Sequence, residues 1–244
     1  LLEMDEVEAV LIAAPNFLHA EIAVAALAAG KDVFCEKPLA TTVKDCDRLV
    51  TAVEQSDRIF YLGFDLRCSP VLQKTRAVIA AGEFGDVRMV SCRELRLPFL
   101  KKVEDWIVQE QYSGGALTDK NCHHFDVFNW LIDSEPVSVF ASGGTDSVYR
   151  DGGKDMSMWE HLRDPATHID VVDNAIAIVD YANGARAGLT VCFFAPDHPL
   201  EIEVLCDHGR LSSDEDNYRL TTFHHVRDER QCHTFEPDVD RDIF

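Results

Sequence analysis

The sequence predicts an α/β fold in which a partial parallel sheet, residues 1–66, precedes an α+β domain, residues 67–244, with a large, mostly antiparallel open sheet. The first observation is that short apolar runs alternate with helical patterns before residue 66, and strands joined by helical crossovers pair in parallel. The second is that alternating strand patterns predominate beyond residue 137, with a hairpin signal in the Asn-Gly pair at 183–184. The two parts should therefore differ in sheet type.

The first part contains three predicted strands and two predicted helices. Its first apolar run, VEAVLIAA, is nearly continuous, which is typical of a strand covered on both faces. Gly30 ends an alanine-rich helical segment, and the apolar residues of the next helix recur at helical spacing. The predicted order is strand 7–14, helix 19–29, strand 32–35, helix 42–55 and strand 58–64.

The second part begins with an amphipathic helix and a strand. A glycine pair at 114–115 leads into a further helix, and strand patterns follow it. Residues 150–170 have the composition of a long loop. The predicted order is helix 70–81, strand 87–97, a helix ending at residue 133, and then mostly strands from residue 137.

Composition excludes several classes of partner. The chain has 23 basic and 43 acidic residues, a formal net charge of −20, so it should repel nucleic-acid backbones and anionic membrane surfaces. No apolar run approaches the roughly 18 residues of a membrane span, and no signal peptide opens the sequence. Eight cysteines without a C-x-x-C pair predict a reduced, cytoplasmic setting. The Cys122/His123 and Cys206/His208 pairs lack a second pair at zinc spacing, so no metal site is predicted.

The segment KDVFCEKPLA, residues 31–40, places two opposite charges and a proline at the end of a predicted strand. Ligands of open parallel sheets bind beyond the carboxyl ends of the strands. Pro38 restricts the backbone there, so Lys37 can direct its ammonium group toward a substrate oxygen. The alternative interpretation is a solvated turn in which Glu36 and Lys37 are only a neighbouring charge pair.

A second candidate cluster lies in SGGALTDKNCHHFDVFNWLID, residues 113–133. On a helix, Asp119, His123, Asp126 and Trp130 share one stripe, because residues three and four apart lie on the same face. A histidine beside a carboxylate is the usual arrangement of a general acid or base. The alternative is the solvated face of an amphipathic helix, on which His123 forms a local ion pair.

Three segments together resemble the Gfo/Idh/MocA family, which includes glucose–fructose oxidoreductase and inositol dehydrogenase. The first, APNFLHAEIAVAALAAGKDVFCEKPLATT, is similar to the family's P-N-x-x-H helix start and its later E-K-P. The second is GFDLRCSP, and the third, GGALTDKNCHHFD, resembles the family's G-G-x-L-x-D-x-x-x-H-x-x-D segment. The resemblance implies that residues 1–66 are the second half of a Rossmann sheet.

The resemblance also implies roles for individual residues. The implied catalytic residues are Lys37, His123 and Asp119, of which Asp119 orients rather than transfers. The implied cofactor-binding residues are Pro15, Asn16, His19, Glu36 and Lys37. The implied substrate-binding residues are Asp65, Arg67 and Lys120; Asp65 replaces a common asparagine. By residue type alone, Trp106, Tyr112, Trp130 and Trp159 can stack on a sugar ring, with a core position as the alternative.

The function implied is hydride transfer between NAD or NADP and a hydroxyl or carbonyl group of a sugar or polyol. Lys37 would stabilise charge on the substrate oxygen, and His123 would accept its proton. The alternatives are a non-catalytic binding or sensor protein on the same scaffold, and a lyase or hydrolase that uses bound NAD transiently. The open sheet resembles the face through which relatives dimerise, so a homodimer or homotetramer is expected.

No G-x-G-x-x-G fingerprint occurs in the 244 residues. In the family this fingerprint lies upstream of the strand that residues 7–14 resemble. Its backbone N–H groups and the helix after it normally hold the pyrophosphate of the dinucleotide. Residues 1–244 alone are therefore expected to bind a dinucleotide weakly, and the apolar edge of strand 7–14 to invite pairing with another chain.

Overall fold

The computed structural model describes residues 1–100, 102–150, 168–195, 200–215, 218–226 and 229–237. The chain divides into two compact units, each built from separate stretches. The first unit comprises Leu1–Phe64, Phe99–Cys122 and Thr145–Val172. The second unit comprises Asp65–Pro98, His123–Gly144 and Asp173–Phe244. Trp159 and most of the predicted loop at 150–170 lie outside the described residues.

The described part of the first unit contains a sheet of three strands in the order β1-β2-β3. Both strand pairs are parallel, with Val10 opposite Val33 and Val33 opposite Phe60, which confirms the predicted sheet type. The strands are β1, Ala9–Ile12; β2, Asp32–Glu36; and β3, Phe60–Gly63. The connecting helices are α1, His19–Ala28, and α2, Val43–Glu54.

Local sequence explains where these two helices begin and end. Thr42 caps α2, because its side-chain oxygen accepts a hydrogen bond from the backbone N–H of Asp45. Gly30 follows α1 with a φ of +73°, a left-handed conformation that favours glycine. The small side chains of α1 allow close packing on the sheet. The shared buried core contains Ile12, Ala23, Ala26, Leu27, Val33, Cys35 and Leu49.

The prediction that the first strand is covered on both faces is wrong. β1 is an edge strand of the described sheet, and Leu11 is 69% exposed whereas its neighbour Ile12 is buried. Leu11 lies opposite Phe34, which lies opposite Tyr61, and all three side chains are exposed. The core formed with α1 and α2 lies on the other face, so the apolar run is buried only at alternate residues.

Short helical turns make up much of the remaining described first unit. They are the 3-10 turns Asn16–Leu18 and Val103–Val108, α4, Glu110–Ser113, and the π-helical turn Leu117–Asn121. The predicted helix after the glycine pair therefore begins as a π turn, which runs directly into α5, Cys122–Ile132. A π turn changes the angular spacing of side chains along the stripe.

The second unit contains, within the described residues, an eight-stranded sheet in the order β11-β10-β9-β8-β4-β7-β6-β5. Its neighbouring strands pair antiparallel except β4 and β7, which are parallel, so the predicted mostly antiparallel sheet is confirmed. The predicted hairpin joins β6 to β7, with Gly184 at a φ of +84°. The strands are β4, Val87–Leu95; β5, Pro136–Gly144; β6, Asn174–Tyr181; β7, Arg186–Cys192; β8, Leu200–Cys206; β9, Gly209–Asp214; β10, Arg219–Val226; and β11, Glu229–Phe235.

Helix α3, Pro70–Ala80, packs against β9 and β10. Ser69 caps it by accepting a hydrogen bond from the N–H of Leu72, and Pro70 occupies the first turn, where its missing N–H costs nothing. Tyr181 of β6 donates a hydrogen bond of 2.8 Å to Asn129 of α5, and burial raises the pKa of Tyr181 to about 12. Within the described ranges, no helix combines the length and apolarity of a membrane span.

One face of the eight-stranded sheet carries large exposed apolar side chains. Phe140 of the edge strand β5 is 72% exposed and lies opposite Ile178, while Ser142 lies opposite the exposed Ile176. This face also holds a shallow concavity of about 380 Å³. Its polar lining includes Ser91, Arg93, Thr190, Glu201, Glu203 and Ser212.

Alkylation should divide the eight free cysteines, all of which lie in described segments, by their exposure. Cys68 and Cys232 are exposed, whereas Cys35 and Cys92 are buried. Burial, aided by the nearby Glu36 carboxylate, raises the pKa of Cys35 to about 12, and burial raises that of Cys92 well above its usual value. Because only the thiolate reacts, iodoacetamide in mildly alkaline buffer should modify Cys68 and Cys232 and spare the buried pair until the protein is unfolded. Peptide mass spectrometry measures this, and native labelling of Cys35 at the rate of Cys68 would contradict it.

Candidate active site

The carboxyl ends of the first-unit strands carry Asn16 and Lys37. Asn16 starts the 3-10 turn beyond β1, and Lys37 directly follows β2. Lys37 Nζ donates a hydrogen bond of 2.7 Å to the backbone oxygen of Asp119 and lies 3.6 Å from its carboxylate. Asn16 Nδ2 donates to the same carboxylate at 2.8 Å and to the backbone oxygen of Ser113 at 2.9 Å. Asn16 and Lys37 therefore connect the carboxyl edge of the parallel sheet to the π turn through Asp119.

Asp119 is the shared partner of these two side chains. It is 6% exposed, so the interpretation of this stripe as a solvated helix face is wrong at Asp119 and also at His123, which is equally buried. A buried carboxylate must be compensated by charge or hydrogen bonds. The Lys37 ammonium and the Asn16 amide supply both, and the same contacts fix the position of the lysine.

The two glycines before the π turn are required by backbone geometry. Gly114 and Gly115 have φ values of +81° and +88°. A Cβ at Gly114 would also lie 2.9 Å from the side chain of Thr118 and 3.2 Å from the Cα of Thr41. Glycine thus lets the chain turn tightly between α4 and the helix that carries Asp119.

His19 bridges the ends of two strands instead of facing open solvent. Its Nε2 lies 2.8 Å from the Ala14 oxygen, beyond β1, and its Nδ1 lies 2.8 Å from the Pro38 oxygen, beyond β2. The side chain is 1% exposed. His19 therefore holds together the two segments that carry Asn16 and Lys37.

Replacement of His19 by phenylalanine should lower the free energy of unfolding by about 1–3 kcal/mol, because the backbone carbonyl groups of Ala14 and Pro38 lose the ring N–H that donates to them, while the ring volume is kept. Urea unfolding followed by circular dichroism measures the change. His168, whose side chain is 75% exposed, offers a matched control, since His168→Phe should change stability by no more than about 0.5 kcal/mol. Equal stability of the His19 variant and the wild type would contradict the bridging role.

In the second unit, a 3-10 turn, Asp65–Cys68, contacts α5 through its side chains. Arg67 donates two hydrogen bonds of 2.7 Å from Nε and Nη2 to the two carboxylate oxygens of Asp126. Its guanidinium also lies 5.8 Å from the ring centroid of Trp130. His123 Nδ1 lies 3.3 Å from Asp65 Oδ1. These contacts bring together both predicted substrate residues of the turn with the implied catalytic histidine.

A contact cluster between β4 and α5 was not predicted from the sequence. His124 Nε2 lies 3.3 Å from Glu94 Oε2, and Arg96 Nη1 donates to Glu94 Oε1 at 3.2 Å. His124 and Glu94 are both buried. The signal that could have revealed it is a glutamate at an inward position of the alternating strand β4, together with the His-His pair that starts α5.

Four further residues were predicted to belong to the site. Pro15, Glu36, Lys120 and Trp106 are half-buried. Trp106 follows Glu104 and Asp105, which have left-handed φ values of 57° and 49°. Lys120 lies in the π turn next to Asp119. The site roles of these four residues stay predictions.

In the part of the chain that the structure describes, no group of three or more His, Cys, Asp or Glu side chains is arranged to hold a metal ion.

The amino-acid sequence is similar to those of known inositol dehydrogenases. Inositol 2-dehydrogenase of Pseudomonas fluorescens (strain SBW25) is 34% identical over 215 residues, which cover 86% of this chain and 55% of that protein. Myo-inositol 2-dehydrogenase of Thermotoga maritima is 30% identical over 225 residues, 91% of this chain and 60% of that protein. The chain thus spans 55% and 60% of the length of these two relatives.

The fold is also that of a solved structure, levoglucosan dehydrogenase in complex with NADH and levoglucosan. The TM-score is 0.83 at 24% identity, over 97% of this chain and 62% of that chain. A family model described as an oxidoreductase family with an NAD-binding Rossmann fold matches residues 1–64, and the GFO/IDH/MocA C-terminal domain model matches residues 72–212. The chain belongs to the Gfo/Idh/MocA family of oxidoreductases.

Proposed function

We propose that this protein transfers a hydride between a nicotinamide cofactor and a hydroxyl or carbonyl group of a sugar or polyol. The observation that carries the proposal is the Lys37–Asp119 contact. A lysine at the carboxyl edge of the parallel sheet is held by hydrogen bonds to Asp119, in the E-K-P segment of a chain 34% identical to an inositol 2-dehydrogenase. A fixed ammonium group is suited to stabilise an oxygen that gains negative charge.

The segments beyond β1 and β2 are suited to the nicotinamide end of the cofactor, because ligands of such sheets bind at the strand ends. Lys37 offers an ammonium group there, and Asn16 supports it by donating to Asp119 and Ser113. The nicotinamide, when bound, accepts or donates the hydride. The protein's own part in the proposal is that Lys37 stabilises the substrate oxygen and His123 accepts its proton, while Asp119 orients Lys37.

Steady-state assays with NAD and NADP against a panel of polyols and anhydrosugars, including myo-inositol and levoglucosan, test the proposal. Wild-type protein should reduce the cofactor with at least one compound, and Lys37→Met should reduce it much more slowly. Ligand binding by calorimetry without any cofactor reduction would instead favour the sensor alternative. Release of a non-redox product with no net change in cofactor would favour the lyase or hydrolase alternative.

Fluorescence titration of residues 1–244 with NADH and NADPH tests where the cofactor binds. The sequence lacks the G-x-G-x-x-G turn that normally holds the pyrophosphate. Residues 1–244 alone should therefore bind either dinucleotide more weakly than at micromolar dissociation constants. Micromolar binding by a monomeric sample would contradict this placement of the cofactor site.

The proposed assembly is a homodimer or homotetramer in which the open face of the eight-stranded sheet is covered by a second copy. Its support is the set of exposed apolar side chains on that face, including Phe140, Ile176 and Ile178. Light scattering should show more than one copy, and Phe140→Asp should shift the population toward monomer. A wild-type sample that is only monomeric would contradict the assembly.

The free state of all eight cysteines supports the further proposal of a reduced, cytoplasmic setting.

A further inference from the structure

The starting observation is a glycine within the eight-stranded sheet. Gly188 of β7 lies opposite Ile178 of β6 and opposite Ser91 of β4, and the register is regular on both sides. Gly188 does not have a positive φ. A Cβ at this position would meet no heavy atom of the described residues within 4 Å. Neither the backbone conformation nor packing within the described part of the chain therefore requires a glycine here.

A glycine within a strand weakens the sheet, because it loses more conformational freedom on folding than other residues and has no side chain to pack. Such a glycine often marks a place where another molecule approaches the backbone closely. Gly188 and Ser91 both line the concavity of about 380 Å³ on the open face. These two neighbouring small residues are called the notch below.

The same row of the sheet carries a large apolar ring. Phe140 of β5 lies opposite Ile178, which lies opposite Gly188, so the three residues face the same side of the sheet. Phe140 is 72% exposed and Ile178 is 45% exposed. Neighbouring strands are about 4.8 Å apart, so β5 lies roughly 10 Å from β7. The open face thus presents an exposed ring and a hollow side by side.

The charges near the notch balance one another. Arg93 of β4 pairs with Glu201 of β8, and Arg210 of β9 pairs with Glu203 of β8. The chain as a whole has a formal net charge of −20, so two copies repel each other through much of their surface. A face on which positive and negative side chains are paired allows a second copy to approach without this repulsion. The charge distribution therefore favours a second copy over a strongly basic partner.

We propose that the notch of one copy receives the Phe140 ring of a second copy, whose notch receives the ring of the first. A two-fold axis makes this contact reciprocal, because both copies present the same patch. The ring occupies the space that Gly188 leaves open, and Ile178, which lies between ring and notch, packs near the axis. The inference rests on the proposed assembly, not on the proposed reaction, and it names the contact that aligns the two sheets.

Filling the notch is the first test. Gly188→Leu adds a side chain that the single chain can accommodate, and it should raise the dissociation constant of the dimer by about tenfold or more, because the ring is excluded. Gly188→Ala is the matched control, and its single methyl group should raise the constant by about threefold or less. Sedimentation equilibrium of the full chain measures both, and circular dichroism checks the fold. Unchanged association of a folded Gly188→Leu variant would overturn the inference.

Compensation between the two residues is the second test. Phe140→Ala alone should weaken association by about tenfold or more, because the notch is left empty. In the double variant with Gly188→Leu, the added side chain occupies the space that the ring has vacated. Residues in contact are not additive, so the double variant should associate more tightly than the product of the two single effects predicts. Additive effects would show that the two residues do not meet and would overturn the inference.

A photo-crosslinking experiment locates the contact directly. p-Benzoylphenylalanine in place of Phe140 should, on irradiation, give a covalent dimer in which the link joins position 140 to β7 or β4 of the other copy. Mass spectrometry of the dimer band identifies the linked peptides. Links only to other segments of the second copy would overturn the notch contact and leave the proposed assembly standing. A wild-type chain that is monomeric at every concentration tested would overturn both, without bearing on the proposed reaction.

Discussion

Replacement of His123 by alanine in the active enzyme is expected to lower kcat by about 10²-fold or more, the usual effect of removing a positioned proton-transfer group. Lys37→Ala should have an effect of similar size, because the substrate oxygen loses its stabilising cation. Steady-state kinetics with the best substrate measures both. His208→Ala is the control, since His208 is exposed in the turn between β8 and β9 and should keep wild-type kcat.

Asp119→Asn separates orientation from proton transfer. In this variant the oxygen of the new side-chain amide can still accept the hydrogen bond from Asn16, but the negative charge beside Lys37 is lost. The decrease in kcat should therefore be smaller than in either alanine variant. Near-normal turnover by His123→Ala would contradict the assignment and would give the proton to another group, with Lys37 or Lys120 next to be tested.

Replacement of Glu94 by alanine is expected to lower the free energy of unfolding by about 3 kcal/mol or more. Removing Glu94 takes its carboxylate from the Arg96 guanidinium, whose side chain is only 25% exposed, and leaves a cavity beside the buried His124 ring. Glu94 contacts both His124 and Arg96, and its side chain and that of His124 are 9% and 2% exposed. Urea denaturation followed by circular dichroism measures the loss.

The control for Glu94 lies on the opposite face of the same sheet. Arg93 of β4 pairs with Glu201 of β8, and about half of each side chain is exposed. An exposed pair of this kind contributes about 0–1 kcal/mol. Equal losses in Glu94→Ala and Glu201→Ala would contradict the view that burial makes the difference.

The elements that were predicted correctly are those whose causes lie within a few residues. The caps at Thr42 and Ser69 and the glycine at 184 are local, so helix starts and the hairpin could be located from sequence. The apolar run at β1 was misinterpreted because hydrophobicity does not show which face another layer covers, and Leu11 is exposed.

The candidate site shows the same limit. Lys37, Asp119 and His123 were chosen from motif and spacing, but their partners depend on contacts between distant segments. Nothing in the sequence near His123 indicates that Asp65 lies 3.3 Å away. The π turn also could not be anticipated, because nothing in the pattern of its residues distinguishes a π turn from an ordinary α-helix.

The position of β4 in the second sheet has a consequence for how this unit is made. β4 is its first strand in chain order, yet its two neighbours are β7, which starts at Arg186, and β8, which starts at Leu200. A nascent chain therefore exposes both edges of β4 until most of the protein has left the ribosome, and such long-range pairing is slow and open to aggregation. The charges of Arg88, Arg93 and Glu94 interrupt the apolar sequence of this strand. Charges within an apolar strand lower its tendency to aggregate, so these three residues are expected to limit association of β4 with other chains before its neighbours are made.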